Sequence, residues 1–220
     1  MTERPLAEQL ADRLRRDILR GRLAPGDAVK ERDNALDLNV SRTPMREAIR
    51  ILAKEGLIVL RPARSPIVAD PSIEEISQWV EVLGALEILS GDLACARASD
   101  AQIAKIRRLQ IKLAEMDPEA DKIATFETDM AFHSAIVAAA RNPSLAATHR
   151  AYLERLWRVR YLSATRPDKR TRVLDEHSRM VDALTARDAA TLRATIETHL
   201  ASMLDNVRAH YAAQNPKNSA

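Results

Sequence analysis

Residues 41–52 read Ser-Arg-Thr-Pro-Met-Arg-Glu-Ala-Ile-Arg-Ile-Leu, and this stretch decides the fold of the first part of the chain. Its apolar residues recur at helical spacing and predict one buried face, formed by Met45, Ala48, Ile49 and Leu52. A basic row on a different face is formed by Arg42, Arg46 and Arg50. Ser41 is expected to cap the helix, and Pro44 is tolerated so close to a helix start.

A short helix that presents guanidinium groups from its first turns can enter the major groove of DNA, where arginines bind guanine edges. The alternative is an ordinary solvated basic face. The distribution of charge favours DNA. Residues 1–69 carry 14 Lys/Arg and 10 Asp/Glu, whereas residues 70–220 carry 20 and 21. The positive excess therefore lies on the part of the chain that contains the arginine row.

The segments around this helix predict a small domain. Apolar residues four apart between Leu6 and Ile18 indicate an amphipathic first helix, and a second helix is expected over Glu31–Leu38, followed by a tight turn at Asn39. The apolar runs at 57–60 and 67–68 flank a basic turn and predict a β-hairpin. Helix, helix, turn, helix and hairpin is the order of a winged helix-turn-helix domain, expected over residues 1–69.

Strand patterns disappear after residue 70, and helical patterns separated by short breaks predict an antiparallel bundle of six helices over residues 72–210. The helices are expected over 72–97, 100–115, 119–140, 144–163, 168–185 and 188–211. Residues 211–220 are expected to form a polar tail. The fold class is therefore mainly α, which agrees with an aromatic content of 3% and only five glycines.

Cysteine usage and apolar runs limit the cellular setting. The single cysteine, Cys95, cannot form an internal disulfide and is expected in the core. The N-terminus lacks the apolar core of a signal peptide, and the most apolar run, 135–140, is far too short to span a bilayer. We expect a cytoplasmic protein without a membrane partner.

The histidines of the second part suggest a metal site. Asp129 and His133 are four residues apart and share a helix face, while His177 and His199 lie in two later helices. One carboxylate and three imidazoles suit a divalent transition metal such as Zn²⁺, Ni²⁺, Mn²⁺ or Fe²⁺. Only the first pair is a local motif, and a helical histidine is more often a hydrogen-bonded interior or surface residue. Spacing alone leaves both interpretations open.

The run from Glu31 to Leu57 resembles the winged-helix domain of the GntR family of bacterial transcriptional regulators, with Ser-Arg-Thr-Pro-x-Arg-Glu-Ala-x-Arg-x-Leu-x-x-x-Gly-Leu over residues 41–57. The resemblance implies an operator contact from Arg32, in the helix before the turn. It implies guanine contacts from Arg42 and Arg46, and phosphate and base contacts from Ser41 and Thr43.

Three positions in this domain carry a secondary role or depart from the family pattern. Arg50 is expected to touch phosphate or to pack. Asn34 stands where the family usually has leucine. The wing tip lacks the glycines that the family often uses. Two outcomes are expected: either Arg64 enters the minor groove, or the wing contacts only the phosphate backbone.

The second part resembles the FCD ligand-binding domain of the FadR subfamily, through Phe126-x-x-Asp129-x-x-Phe132-His133, Asn142-Pro143-x-Leu145, Glu176-His177 and His199-Leu200. In that domain an aspartate and three histidines hold a metal whose open positions face a small carboxylate effector. The resemblance assigns these roles to Asp129, His133, His177 and His199. His149 and His210 match no ligand position and are expected at the surface, and Asn142 is expected to cap a helix.

One departure concerns the effector. The family commonly has arginine where Leu83 stands, so a cation near the pocket is missing. A carboxylate held mainly by the metal, a less charged effector and a purely structural metal all remain open. A replacement cation can come from Arg155, Arg158 or Arg160, but the sequence does not show which of them points inward.

The sequence as a whole predicts a homodimer that reads a palindromic operator in double-stranded DNA under the control of a small organic acid, and not an enzyme. One alternative is a metal-dependent enzyme, since histidine and carboxylate ligands also serve hydrolases and Fe(II) oxygenases. No general base or nucleophile is recognisable, and an enzyme leaves residues 31–57 unexplained. The other is a DNA-binding dimer whose metal is purely structural or whose helical part binds no ligand.

Overall fold

The structure, a computed structural model, describes residues 4–117, 121–164 and 169–214. The chain divides into two compact units, Met1–Ser72 and Ile73–Ala220. Across the described residues there are ten α-helices and one two-stranded sheet, so the mainly helical prediction is confirmed. None of these helices is both long and apolar enough to cross a membrane.

The first unit is built around the arginine helix. Its elements are α1 (Leu6–Leu19), α2 (Glu31–Asp37), α3 (Arg42–Lys54), β1 (Ile58–Val59) and β2 (Ile67–Val68). Helix α3 buries the four apolar side chains that the spacing predicts. They form the core together with Leu10, Leu14 and Ile18 of α1. Because one face of α3 is fully used in this core, its arginines are left on the outside.

The hairpin pairs antiparallel strands, with Ile58 opposite Val68 and Val59 opposite Ile67. A contribution that the sequence did not suggest comes from Ala28, which forms an isolated β-bridge with Ile67. The segment before α2 is thereby tied to the hairpin.

The turn before α3 agrees with the sequence in one respect and differs in another. Asn39 has a positive φ of 51°, the left-handed conformation expected there. Ser41 lies at the N-cap position, but its side chain makes no capping hydrogen bond, so this part of the expectation was wrong. The exposed position of Ser41 leaves the first-turn N–H groups of α3 to solvent.

The second unit contains only helices in its described part. They are α4 (Ile73–Arg97), α5 (Asp100–Glu115), α6 (Lys122–Ala139), α7 (Pro143–Arg155), α8 (Trp157–Ala164), α9 (Arg170–Ala186) and α10 (Ala189–Gln214). Helix α10 continues to Gln214, into the segment expected as a polar tail. The breaks expected at 117–118 and 166–168 fall wholly or partly outside the described residues.

The helix expected over 144–163 is divided into α7 and α8 at Leu156. This residue has φ −88° and ψ 2°, outside the helical region, and its side chain is fully buried. The break starts a new helix at Trp157, whose indole meets the ring of Phe126 edge-on at 5.0 Å. The N–H of Leu156 donates to the carbonyl oxygen of Tyr152 and the N–H of Arg160 donates to that of Leu156, so the interruption is confined to one residue.

Polar side chains fix the ends of several helices. Ser99 and Gln102 form a capping box at α5, and Asn142 accepts a hydrogen bond from the N–H of Leu145, as expected for a cap. Arg187 takes a left-handed conformation with φ 58° between α9 and α10. The Asp188 side chain then accepts a hydrogen bond from the N–H of Thr191. This short turn fixes how α9 and α10 follow one another.

The core of the second unit brings α4 and α10 close together. Cys95 is buried in this core, as expected. A Cβ atom on Gly91 would lie 3.0 Å from Leu192 Cδ2 and 3.1 Å from Ile196 Cδ1. The lack of a side chain at Gly91 is therefore what allows the two helices to approach.

We expect Gly91→Leu to lower the free energy of unfolding by about 1–3 kcal/mol, because the added side chain forces α10 away from α4. Gly84→Leu, on the same helix, is the matched control. Its Cβ would meet only Leu200 Cδ1 at 3.4 Å, so the loss of stability should be smaller there, and the better helix propensity of leucine partly offsets it. Urea unfolding followed by circular dichroism measures both. Equal effects of the two substitutions would contradict the close approach.

Candidate metal centre and nucleic-acid interface

The four residues expected to hold a metal meet inside the second unit. Helix α6 supplies Asp129 and His133, α9 supplies His177, and α10 supplies His199. The imidazole centroids lie 5.0–5.2 Å from one another, and one nitrogen of each ring lies within 4.8 Å of the others. Asp129 Oδ1 is 3.6 Å from His177 Nε2 and 3.9 Å from His133 Nε2.

The donor atoms of this cluster fit a metal ion. Asp129 Oδ1, His133 Nε2 and both ring nitrogens of His177 are buried without a hydrogen-bond partner. An unpaired buried polar atom costs about 1–3 kcal/mol, so several at one point need an explanation. A carboxylate oxygen and imidazole nitrogens that converge are the donors that zinc and related divalent metals use. The cluster of three histidines can therefore hold a metal ion.

The fourth donor is oriented by a second carboxylate. His199 Nδ1 lies 2.7 Å from Glu176 Oε2, which is itself buried. When Nδ1–H donates to this carboxylate, the lone pair of Nε2 is left for a metal. His177 is held by packing instead, since its ring stacks on Phe132 at 4.4 Å.

Burial sets the protonation states in the cluster. Burial, assisted by neighbouring positive groups, lowers the pKa of His133 and of His177 well below the ordinary imidazole value. Both rings are therefore neutral at neutral pH, as metal ligands must be. Burial has the opposite effect on the carboxyl group and raises the pKa of Asp129. A bound cation would compensate the charge of the aspartate.

A second layer of buried charge surrounds the cluster. Glu87 of α4 accepts a hydrogen bond from Arg160 Nη1 at 2.9 Å, and its Oε1 lies 3.5 Å from His149 Nε2. Its Oε2 is 3.8 Å from His133 Nδ1. Although burial by itself would raise the pKa of Glu87, Arg160 and His149 lower it to about 2. The carboxylate is therefore ionised and sits directly behind a candidate ligand.

The two histidines expected at the surface differ in their burial. His149, expected at the surface, is only 2% exposed. It lies in register with Leu145 and Leu153 on the buried face of α7, a spacing that should have indicated burial. His210, also expected at the surface, is partly exposed.

The inward-pointing arginine is Arg160 of α8. It is 3% exposed, whereas Arg155 is exposed and lies over the ring of Tyr152 at 5.6 Å. Arg158 is partly exposed. Leu83, which stands where the family commonly has arginine, is fully buried in the apolar core. The cation of this interior therefore comes from a different helix.

A cleft opens beside the cluster. Its polar lining consists of Asp129, Arg160, Ser163, Arg172, His199 and Asn206. Arg172 Nε is buried without a hydrogen-bond partner, and the nearest Glu176 oxygen is 3.7 Å away. Asn206 Nδ2 donates to Ser163 Oγ at 3.1 Å. Two guanidinium groups next to amide and hydroxyl groups suit a small polar anion.

On the first unit, the expected DNA contacts are all exposed. They are Arg32, Ser41, Arg42, Thr43, Arg46, Arg50 and Arg64. Arg50 does not pack into the core and instead pairs with Glu47 at 2.6 Å on its own helix. Arg46 forms a two-point hydrogen bond with Glu31 of α2, and Arg42 Nη2 lies 3.4 Å from the same carboxylate. The role of Glu31 has no signal in the spacing of the sequence, because its partners lie on another helix.

The wing is braced without the glycines that the family often uses. Ala63 adopts a positive φ of 55°, and Arg61 donates two hydrogen bonds to the carbonyl oxygen of Ser65. Asn34, the departure in α2, donates to the carbonyl oxygen of Lys30 at 2.8 Å. Both departures are thus accommodated by local hydrogen bonds.

Comparison with protein families matches each unit separately. Residues 6–68 match the model for bacterial regulatory proteins of the gntR family, and residues 78–202 match the FCD domain.

Relatives and solved structures resemble the chain over nearly its whole length. It is 28% identical over 210 residues to the HTH-type transcriptional repressor RspR of Escherichia coli, covering 93% of this chain and 90% of RspR. It is 29% identical over 205 residues to a probable D-xylose utilization operon transcriptional repressor of Paenarthrobacter nicotinovorans, covering 93% and 89%. The solved structure of E. coli McbR/YncC covers 96% of this chain and all of its own, with a TM-score of 0.79 at 20% identity. With a gntR-type DNA-binding domain followed by an FCD domain, the chain belongs to the GntR family of bacterial transcriptional regulators, in its FadR subfamily.

Proposed function

We propose that this regulator is a cytoplasmic homodimer that binds a palindromic operator and responds to a small carboxylate bound beside a metal in its helical unit. The observation that carries this proposal is the convergence of unpaired buried donor atoms from Asp129, His133 and His177. Asp129 and His199 of this cluster also line a cleft that contains arginines. A regulator without a ligand has no need for such a costly arrangement.

The DNA-binding role rests on α3. We assign guanine contacts to Arg42 and Arg46, because exposed arginines in the first turns of a helix can reach base edges in the major groove. Ser41 and Thr43 are assigned to phosphate and base contacts at the N-terminus of α3, where backbone N–H groups favour an anion. Arg32, Arg50 and Arg64 are assigned to operator or phosphate contacts around this centre.

The effector site rests on the cleft. Asp129, His133, His177 and His199 would hold the metal, which when bound supplies a positive centre for a carboxylate oxygen. The charge of Arg160 is already matched by Glu87, so Arg172 is the cation with spare hydrogen-bonding capacity toward the cleft. Ser163 and Asn206 offer partners for a hydroxyl group on the same ligand.

Regulation requires that the effector distinguish two states of the dimer. A ligand shifts an equilibrium only by as much as its affinity differs between the states. The effector must therefore bind the DNA-competent and DNA-free forms with different affinity.

The alternative of a metal-dependent enzyme has less support, because the relatives are named as transcriptional regulators.

For the metal, we expect purified protein to contain about one divalent transition metal per chain, as four protein donors would provide. His177→Ala and Asp129→Asn should each lose most of it. His210→Ala, which removes an imidazole outside the cluster, should keep it. Elemental analysis of the four proteins measures the content, and circular dichroism verifies folding. Unchanged metal in both cluster variants would refute the site.

For DNA, we expect a duplex selected by this protein from a random pool to bind with a log–log salt slope near −7, if the dimer neutralises about eight phosphates. Arg42→Ala should weaken binding by about 5- to 150-fold, the value of one guanine contact. Arg13→Ala is the control, since Arg13 lies on α1 and pairs with Asp17. Fluorescence anisotropy measures all three proteins. Equal affinity for the selected and random duplexes would disprove specific binding.

For the effector, we expect some members of a panel of mono- and dicarboxylates and sugar acids to raise the melting temperature of metal-loaded protein. The shift should disappear after metal removal and weaken in Arg172→Gln. Arg179→Gln removes an exposed arginine from the same helix and should respond like the wild type. Thermal shift measurements test this. Metal-loaded protein that binds its selected DNA but none of the acids would favour a purely structural metal.

A further inference from the structure

The carboxylate of Glu31 lies between the two arginines assigned to guanine contacts. We propose that Glu31 is a specificity-determining residue of the DNA interface, which positions Arg46 so that one edge of its guanidinium group is presented to a guanine. The proposal rests on the DNA-binding role of α3 given above. It adds a residue that touches no base and acts through Arg46.

The geometry of the pair supports this role. Arg46 Nε donates to Glu31 Oε2 at 3.0 Å, and Arg46 Nη2 donates to Glu31 Oε1 at 2.8 Å. A guanidinium group is planar and has two edges that can each form a two-point hydrogen bond. Glu31 occupies the edge formed by Nε and Nη2. Among the residues that the structure describes, none forms a two-point contact with the edge made by Nη1 and Nη2, and such an edge matches the O6 and N7 acceptors of guanine.

The pair also fixes an arginine that would otherwise be mobile. The two residues are 15 positions apart in sequence, in different helices, so the contact ties the first turn of α2 to α3. The Glu31 side chain is 23% exposed and that of Arg46 is 50% exposed, so the carboxylate is more buried than the guanidinium group. Restricting Arg46 before DNA arrives reduces the freedom lost on binding. The hydrogen bond from Arg46 lowers the pKa of Glu31, which keeps it ionised.

The other arginines of α3 are held differently. Arg42 Nη2 lies 3.4 Å from Glu31 Oε1, a looser contact that leaves Arg42 able to turn toward the DNA. Arg50 pairs with Glu47 on its own helix, and both of these side chains are about half exposed or more. Within the described residues, Arg46 is thus the arginine of α3 that an acid from another helix holds at two points. The effect of Glu31 should therefore concentrate on the base that Arg46 reads.

The charge of Glu31 gives the proposal a distinctive signature. A carboxylate among the arginines repels phosphates, so it weakens binding to DNA of any sequence. If the same carboxylate also positions Arg46, its removal should raise affinity for unrelated DNA while lowering discrimination. A general structural defect would instead lower both affinities.

The experiment uses full-length protein and two duplexes: one that the wild type selects from a random pool, and a shuffled duplex of the same base composition. Glu31→Gln removes the charge, Glu31→Asp keeps the charge but shortens the reach, and Asp33→Asn is the matched control. Asp33 lies on the same helix and pairs with Lys30, away from the arginines of α3. Anisotropy titrations at several salt concentrations give both affinities, and thermal melting verifies folding.

We expect both Glu31 variants to reduce the ratio of selected to shuffled affinity by about tenfold, which corresponds to one guanine contact. Glu31→Gln should also bind the shuffled duplex more tightly, by the factor seen for Asp33→Asn. A ratio for folded Glu31→Gln within twofold of the control would overturn the proposal, as would a loss of both affinities. Failure of the wild type to select any duplex would instead refute the DNA-binding role itself.

Discussion

Unpaired polar atoms at the centre of a helical bundle are the constraint on which the second unit depends. Asp129, His133 and His177 bring an oxygen and nitrogens into the interior without hydrogen-bond partners. Burial makes the carboxylate hard to ionise and the imidazoles hard to protonate. Such a cluster is costly when empty and favourable when a cation completes it. The surrounding helices can be understood as the means of holding these atoms in place.

The second layer supplies that support with charges of its own. Glu176 orients His199 by a short hydrogen bond, and Glu87 is ionised behind His133 because Arg160 compensates it. Removing one member of the Glu87–Arg160 pair would leave the other buried alone, which is strongly unfavourable. The same device of an acid placed behind a functional group recurs on the first unit, where Glu31 stands behind Arg46.

Much of the fold follows from the sequence because its signals are local. The buried face of α3 can be read from spacing alone, and the left-handed turn at Asn39 from the residue type. The four residues of the candidate metal cluster could be named because Asp129-x-x-x-His133 is local and a family resemblance supplied the others. Periodicity also indicates that His149 is buried, because it lies in register with buried leucines on α7. The surface position was expected only because His149 matches no ligand position of the family.

The remaining features depend on contacts between distant segments, and spacing carries no signal for them. Glu87 and Arg160 are 73 residues apart, and Glu31 and Arg46 are on different helices. The bridge from Ala28 to Ile67 joins segments with no shared pattern. The interruption at Leu156 falls on a residue with good helix propensity, so propensity carried no signal for it.

That interruption has a consequence for how the chain can change over evolution. Each added residue turns a helix by about 100°, so an insertion or deletion next to Leu156 would rotate α8 as a rigid rod. Arg160 would then be turned away from Glu87, and the carboxylate would lose the hydrogen bond from this arginine. Apolar substitutions at Leu156 are a milder change, because they do not alter the number of residues and therefore leave the rotation of α8 unchanged. We therefore expect the length of the chain at this joint to be more constrained than the identity of its apolar side chain.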